Sequence, residues 1–192
     1  MREFEKAGEI KRQIFALQHI NDVAILKDSP HPNPLLVKER GNSIFRIEAY
    51  DIAHLGGKNM VGVMTVAEDG EVEKSEYKKF KIKTQTDAND TGALAEVLER
   101  RLKHKEWPYP RLIVVDGGIA QINATKTILS RLNLNIPVVS VLKDEKHKPK
   151  AIMGEEKFSL QYKQAILLAN SEAHRFAIAY HKNMRATNFL TQ

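Results

Sequence analysis

Asp51 and Asp116 each stand where a carboxylate is costly. Asp51 interrupts Phe45-Arg46-Ile47-Glu48-Ala49-Tyr50-Asp51-Ile52-Ala53-His54-Leu55, an apolar run that stops at Gly56-Gly57 and reads as a buried strand. Asp116 closes Leu112-Ile113-Val114-Val115-Asp116, a short, fully apolar strand that passes through Gly117-Gly118 into a helical pattern. A buried carboxylate must be offset by a partner, so an aspartate in such a place reads as a metal ligand, a catalytic group or half of an ion pair. The plainer alternative is a strand-end aspartate that caps a turn or pairs with a lysine. If the two strands are neighbours, a divalent cation is the simplest way to keep both side chains ionised.

Other residues join this pair as candidates. Asp90 precedes a helix, where an aspartate serves as an N-cap or as a third ligand. His174 shares a helix face with Leu167, Asn170, Ile178 and His181, which suits a packed or surface histidine as well as a ligand or proton shuttle. His54 is placed to support such a site, and Arg175, His181 and Lys182 to contact phosphates. The run Lys143-Asp144-Glu145-Lys146-His147-Lys148-Pro149-Lys150 reads as a solvated loop whose Lys143, Lys146, Lys148 and Lys150 can track a phosphate backbone. Gly117-Gly118 permits an anion to approach free helix amides, a weak signal alone. There is no G-x-G-x-x-G, no Walker A sequence and no Ser-His-Asp or Cys-His arrangement.

Positioning these residues requires an ordered set of elements. After the strand of Asp51, residues 59–67 and 71–83 read as two further antiparallel strands joined at Glu68-Asp69-Gly70. A helix from Asp90 places Leu94, Val97, Leu98 and Leu102 on one face and ends at Trp107-Pro108-Tyr109-Pro110. The strand of Asp116, a helix over 118–132 and a strand over 138–142 follow. Residues 151–160 read as a short hairpin, and a long helix over 161–184 closes the domain. Three antiparallel strands, then helix, strand, helix, strand and helix, is the layout of the ribonuclease H-like α/β fold, a mixed five-stranded sheet flanked by helices.

Upstream, residues 2–19 carry Phe4, Ala7, Ile10, Ile14 and Leu17 as a narrow apolar stripe on a charged helix, the pattern of a helix that packs on one partner helix. Pro30, Pro32 and Pro34 make an extended linker. The expected organisation is a helical docking segment over 1–27, a proline-rich linker over 28–43 and a ribonuclease H-like endonuclease domain over 44–192.

Composition narrows the classes. A 192-residue chain with 42% hydrophobic residues is globular and long enough for one domain plus an arm. It has no cysteine, so disulfide and thiolate-metal chemistry are excluded. No apolar run approaches the ~18 residues of a membrane span, and no signal-like start is present, so the cytoplasm is the expected compartment. The net charge is +6, and its excess lies in residues 111–192, with twelve basic and six acidic side chains. A basic surface beside clustered carboxylates suits a polyanion presented to bound metal.

Five blocks resemble the C-terminal nuclease region of the UvrC family, the incision component of the excinuclease in bacterial nucleotide excision repair. They are Arg46-Ile47-Glu48-Ala49-Tyr50-Asp51-Ile52-Ala53-His54, then Ser75-Glu76-Tyr77-Lys78-Lys79-Phe80, then Val97-Leu98-Glu99-Arg100-Arg101. The fourth is Leu112 to Gly118 with Gln121-Ile122-Asn123-Ala124, and the fifth Glu172-Ala173-His174-Arg175-Phe176-Ala177-Ile178. Residues 4–14 resemble the helical segment with which that family docks onto UvrB, its companion in the excinuclease.

The resemblance implies catalytic and metal-ligating roles for Asp51, Asp90, Asp116 and His174, with magnesium or manganese as cofactor. It also implies DNA and UvrB as partners and hydrolysis of one DNA strand on the 5′ side of a lesion. The chain departs from the family at Ala53, usually serine, at Asn89, usually aspartate, and at Ile119 and Ala120, usually lysine and glycine. It carries neither the family's other nuclease domain nor its helix-hairpin-helix module, as expected of a reduced homologue or a fragment. The competing expectation is a nuclease-like module that cuts weakly and binds UvrB or DNA.

Overall fold

The computed structural model describes residues 44–54, 60–84, 89–144 and 149–190, with side chains as far as residue 183. The docking segment over 1–27 and the linker over 28–43 lie outside the described residues.

The strand of Asp51 is β1 (Arg46–His54), paired antiparallel along its whole length with β2 (Met60–Glu68). Asp69 and Gly70 both take positive φ, 50° and 88°, the two-residue turn whose twist matches that of a hairpin. It leads into β3 (Glu71–Val72). The third expected strand is broken in two: a 3₁₀ turn over Lys74–Glu76 separates β3 from β4 (Lys78–Lys81), and both pair with β2. The break has a local cause. The Glu73 carboxylate accepts from the Ser75 amide and hydroxyl, offering the backbone an alternative to the ladder.

Helix α1 (Asp90–Lys103) buries Leu94, Val97, Leu98 and Leu102, the stripe its spacing predicts. Strand β5 (Leu112–Asp116), helix α2 (Ile119–Arg131) and strand β6 (Val138–Lys143) follow. Residues 151–160 do not form a hairpin. They belong to β7 (Pro149–Gly154), which pairs antiparallel with β6, and to α3 (Glu156–Gln161). Half-buried Ile152 and Met153 pack on the cores, so the segment covers the otherwise open edge of β6 instead of folding back on itself. Helix α4 (Lys163–Leu190) completes the described chain.

The sheet order is β3-β2-β1-β5-β6-β7, with β4 beside β2. β1, β5 and β6 run parallel; β2 and β7 run against them. The mixed five-strand frame expected from the sequence is therefore present, with its third strand divided and one edge strand added. Two cores sandwich it. On one face Tyr50, Met64 and Val115 of the sheet pack against Leu98 of α1 and Ile122 of α2; on the other Ile47, Ala49, Val114 and Val141 pack against Ile166, Ala169 and Ala173 of α4. Alternation along β1 and β5 thus sends odd-numbered β1 residues and even-numbered β5 residues to the α4 face.

Candidate metal centre at the ends of the parallel strands

Asp51 and Asp116 meet because β1 and β5 are parallel neighbours. Tyr50 lies opposite Val115, so the next residue on each strand is an aspartate. α4 crosses the same face and contributes His174. Its Nδ1 is 3.2 Å from Asp51 Oδ2, and one ligand atom each from Asp51, Asp116 and His174 lie within 4.8 Å of one another. Lys143, the last residue of β6, places Nζ 2.8 Å from Asp116 Oδ2.

The electrostatics are those of an incompletely compensated acid pair. Burial and, next, repulsion from Asp116 raise the Asp51 pKa above the ordinary carboxylate value, while His174 and Lys143 pull it back only in part. Asp116 Oδ1 is buried and has no hydrogen-bond partner among the described residues. Orphaned buried oxygens are rare and call for an explanation, and an ion is one. Two carboxylates and an imidazole form an oxygen and nitrogen set that suits a divalent cation. The donor set and the unpaired oxygen therefore fit a metal.

Asp90 reaches the same place by another route. A cavity of about 180 Å³ is lined by Tyr50, Asp51, Ile52, Asp90, Leu94, Asp116, Gly117 and Gln121. Asp90 is not one of the three clustered ligands, and it does not cap its helix either. Asn89 is the N-cap, with Oδ1 accepting from the Gly92 amide at 3.0 Å and from the Thr91 hydroxyl. That leaves the Asp90 carboxylate for His54, whose Nε2 is 2.7 Å from Oδ1, so His54 touches the site through Asp90.

At the far wall Gly117 has φ 121°, and an added Cβ would lie 2.7 Å from the Gln121 side chain. Gln121 Oε1 in turn accepts from the Gly118 amide. That amide of the strand-to-helix turn is already committed, which weakens the anion reading of the glycine pair.

The expected phosphate contacts separate. Lys143 does not belong to a solvated loop; it ends β6 inside the acid cluster, because the apolar strand before it carries it there. Lys150 is exposed on β7, and Lys146 and Lys148 lie outside the described residues. Arg175 is forked onto Glu172, which also accepts from the Tyr77 hydroxyl, so this exposed guanidinium is already paired. His181 is half-buried and Lys182 exposed further along α4. Sequence reading missed that Lys143 faces Asp116. The available signal was a lysine ending an apolar strand, which becomes informative only once β6 is known to lie beside β5.

Residues 39–178 match the family described as the UvrC RNase H endonuclease domain. The chain belongs to that family. Among its relatives, UvrABC system protein C of Clostridium novyi (strain NT) is 37% identical over 163 residues, 73% of this chain and 26% of that protein. UvrABC system protein C of Clostridium botulinum (strain 657 / Type Ba4) is 34% identical over 211 residues, 96% of this chain and 33% of that protein. The chain thus spans from 26% to 33% of the length of these UvrC relatives. Among solved structures, human ENDOV aligns with TM-score 0.42 and 14% identity over 63% of this chain and 53% of that one. Thermus thermophilus RuvC aligns with TM-score 0.32 and 14% identity over 71% and 96%. Asp51, Asp116 and His174 all fall within the segment matched to the UvrC domain.

Proposed function

We propose that this chain is a metal-dependent endonuclease of nucleotide excision repair that hydrolyses one DNA phosphodiester on the 5′ side of a lesion, working in the cytoplasm. The observation that carries this reading is the convergence of Asp51, Asp116 and His174, with one Asp116 carboxylate oxygen unpaired among the described residues, in a chain of the UvrC endonuclease family. Asp51, Asp116 and His174 would hold a divalent cation, and Asp90, which lines the same cavity, would add a further ligand. Bound magnesium or manganese supplies an acidified water and neutralises charge on the leaving 3′ oxygen. His174 is held by Asp51 at the edge of the acid pair, within reach of a proton on the attacking water. Lys143 adds a positive charge beside the acids, where a phosphate must come to rest.

Residues 2–19 are the proposed docking helix for UvrB, supported by their narrow apolar stripe. The rival reading, a weakly cutting module that binds UvrB or DNA, draws on Ile119, 57% exposed where the family resemblance expects lysine. One assay separates them. The purified chain is incubated with a bubble or lesion-bearing duplex, with and without magnesium and UvrB. Metal-dependent nicking that leaves 3′-hydroxyl and 5′-phosphate ends supports the nuclease. Binding to UvrB with no nicking under any condition selects the rival.

A further inference from the structure

The edge strand β4 carries Lys79 and Lys81, and the pairing register fixes where they point. Lys79 lies opposite Val63, which lies opposite Asp51; Lys81 lies opposite Val61, which lies opposite Ala53. Directly paired residues on neighbouring strands project from one face of a sheet, so both lysines share the α4 face with Asp51. Two strand spacings put the Lys79 backbone about 10 Å from that of Asp51, and two residues of rise put the lysines about 7 Å apart along β4. That is the scale of the spacing between successive phosphates along one nucleic-acid strand.

The ammonium of Lys79 is pre-positioned. It sits 5.5 Å from the Phe176 ring centroid and 4.7 Å from that of Tyr180, both on α4. Two ring faces fix a cation without neutralising it, as a carboxylate would. The nearby acids are engaged elsewhere: Glu76 pairs with Arg46, and Glu172 with Arg175 and Tyr77. Lysines on an exposed strand also prevent edge-to-edge pairing. That role needs charge at the edge, but it needs neither the alignment with Asp51 nor the ring cradle.

We propose that Lys79 and Lys81 form a phosphate-binding track for the strand being cut, engaging the backbone about one or two nucleotides from the phosphate at Asp51 and Asp116. The inference rests on the nuclease reading above and adds to it the surface along which substrate lies.

The test measures duplex DNA affinity against salt concentration, using the full chain in an Asp51→Asn background so that no cutting intervenes. Adding Lys79→Gln and Lys81→Gln is expected to lower the slope of log affinity against log salt by about 1.8, close to 0.9 per lost phosphate contact. Lys81→Gln alone, which leaves the ring contacts intact, is expected to lower it by about half as much, and thermal melts confirm folding. Lys126→Gln with Lys157→Gln makes the same charge change on exposed positions of α2 and α3. An unchanged slope in both β4 variants, or an equal loss in this control, overturns the track. If the Asp51→Asn parent binds DNA with no salt dependence at all, the nuclease reading and the track fall together. If it binds normally and only the β4 variants are silent, the track alone falls.

Discussion

Glu48 and Asp51 are three residues apart on β1, both acidic and both largely withdrawn from water, yet they have opposite fates. Glu48 is 0% exposed on the face of α1 and is saturated with donors. Arg101 Nη2 reaches Oε1 at 2.6 Å, and Arg101 Nε lies 3.0–3.1 Å from both oxygens. Arg46 Nε donates at 3.2 Å and the Tyr50 hydroxyl at 2.6 Å. Arg101 is itself completed by the Pro108 carbonyl and the rings of Trp107 and Tyr109. Burial and the neighbouring Glu48 push the Tyr50 pKa well above its ordinary value, so this hydroxyl stays a donor at any working pH. Asp51, on the α4 face, has one long bond to His174 and an acidic neighbour. A saturated buried charge is architecture. An unsaturated one calls for a partner that the fold itself does not supply.

That contrast can be broken from either side. The largest effect is expected at the unsaturated end: Asp51→Asn or Asp116→Asn should lower the nicking rate by roughly 10⁴-fold, about 5 kcal/mol of barrier, with the melting temperature held or raised. Near-normal nicking by either variant would remove the metal assignment. At the saturated end the pattern reverses. Arg101→Met should cost about 3–5 kcal/mol of stability in a denaturant titration, because it strands Glu48 in the core, and activity should fall only as far as folding does.

The pH dependence sharpens the distinction. A carboxyl whose pKa is raised on folding binds its proton more tightly in the native state, so its contribution to stability is present at low pH and lost as pH rises. Without metal, the melting temperature of the wild-type chain should therefore fall relative to Asp51→Asn as pH climbs from the ordinary value of 3.8 through the raised value of Asp51. Adding magnesium should close the gap. A difference that stays flat with pH would show that Asp51 is as well compensated as Glu48.

Lys143 gives the smallest and most specific effect. Its ammonium occupies Asp116 Oδ2, where an incoming cation must compete. Lys143→Met should bind manganese about three- to tenfold more tightly by calorimetry while nicking more slowly, up to ~1.4 kcal/mol in affinity. Unchanged or weaker metal binding would mean that the lysine stands beside the site rather than in it.

Much of this was legible in the chain. The apolar run ending at Asp116 and the stripe of Leu94, Val97, Leu98 and Leu102 are local patterns with fixed periods, and each became the element its period predicts. Asp51 and Asp116 stood out because a carboxylate inside an apolar strand conflicts with its surroundings. Neither the division of the third strand nor the route of residues 149–161 was visible. The first turns on a single carboxylate capping a 3₁₀ turn, and the second on an open strand edge that belongs to another part of the chain.

Periodicity and composition determined most of the strands and helices, which of their faces are apolar and which acids are out of place, because those depend on neighbours within a few residues. They could not determine that Glu48, rather than Asp51, is fully paired, that Asn89 takes the cap and leaves Asp90 to the cavity, or that Lys143 faces Asp116. Those outcomes depend on the parallel register of β1, β5 and β6 and on where α1 and α4 cross them. Only the assembled sheet with α4 packed on it brings residues 51, 116, 143 and 174 together, and a charge has no assigned role until its partners are in place.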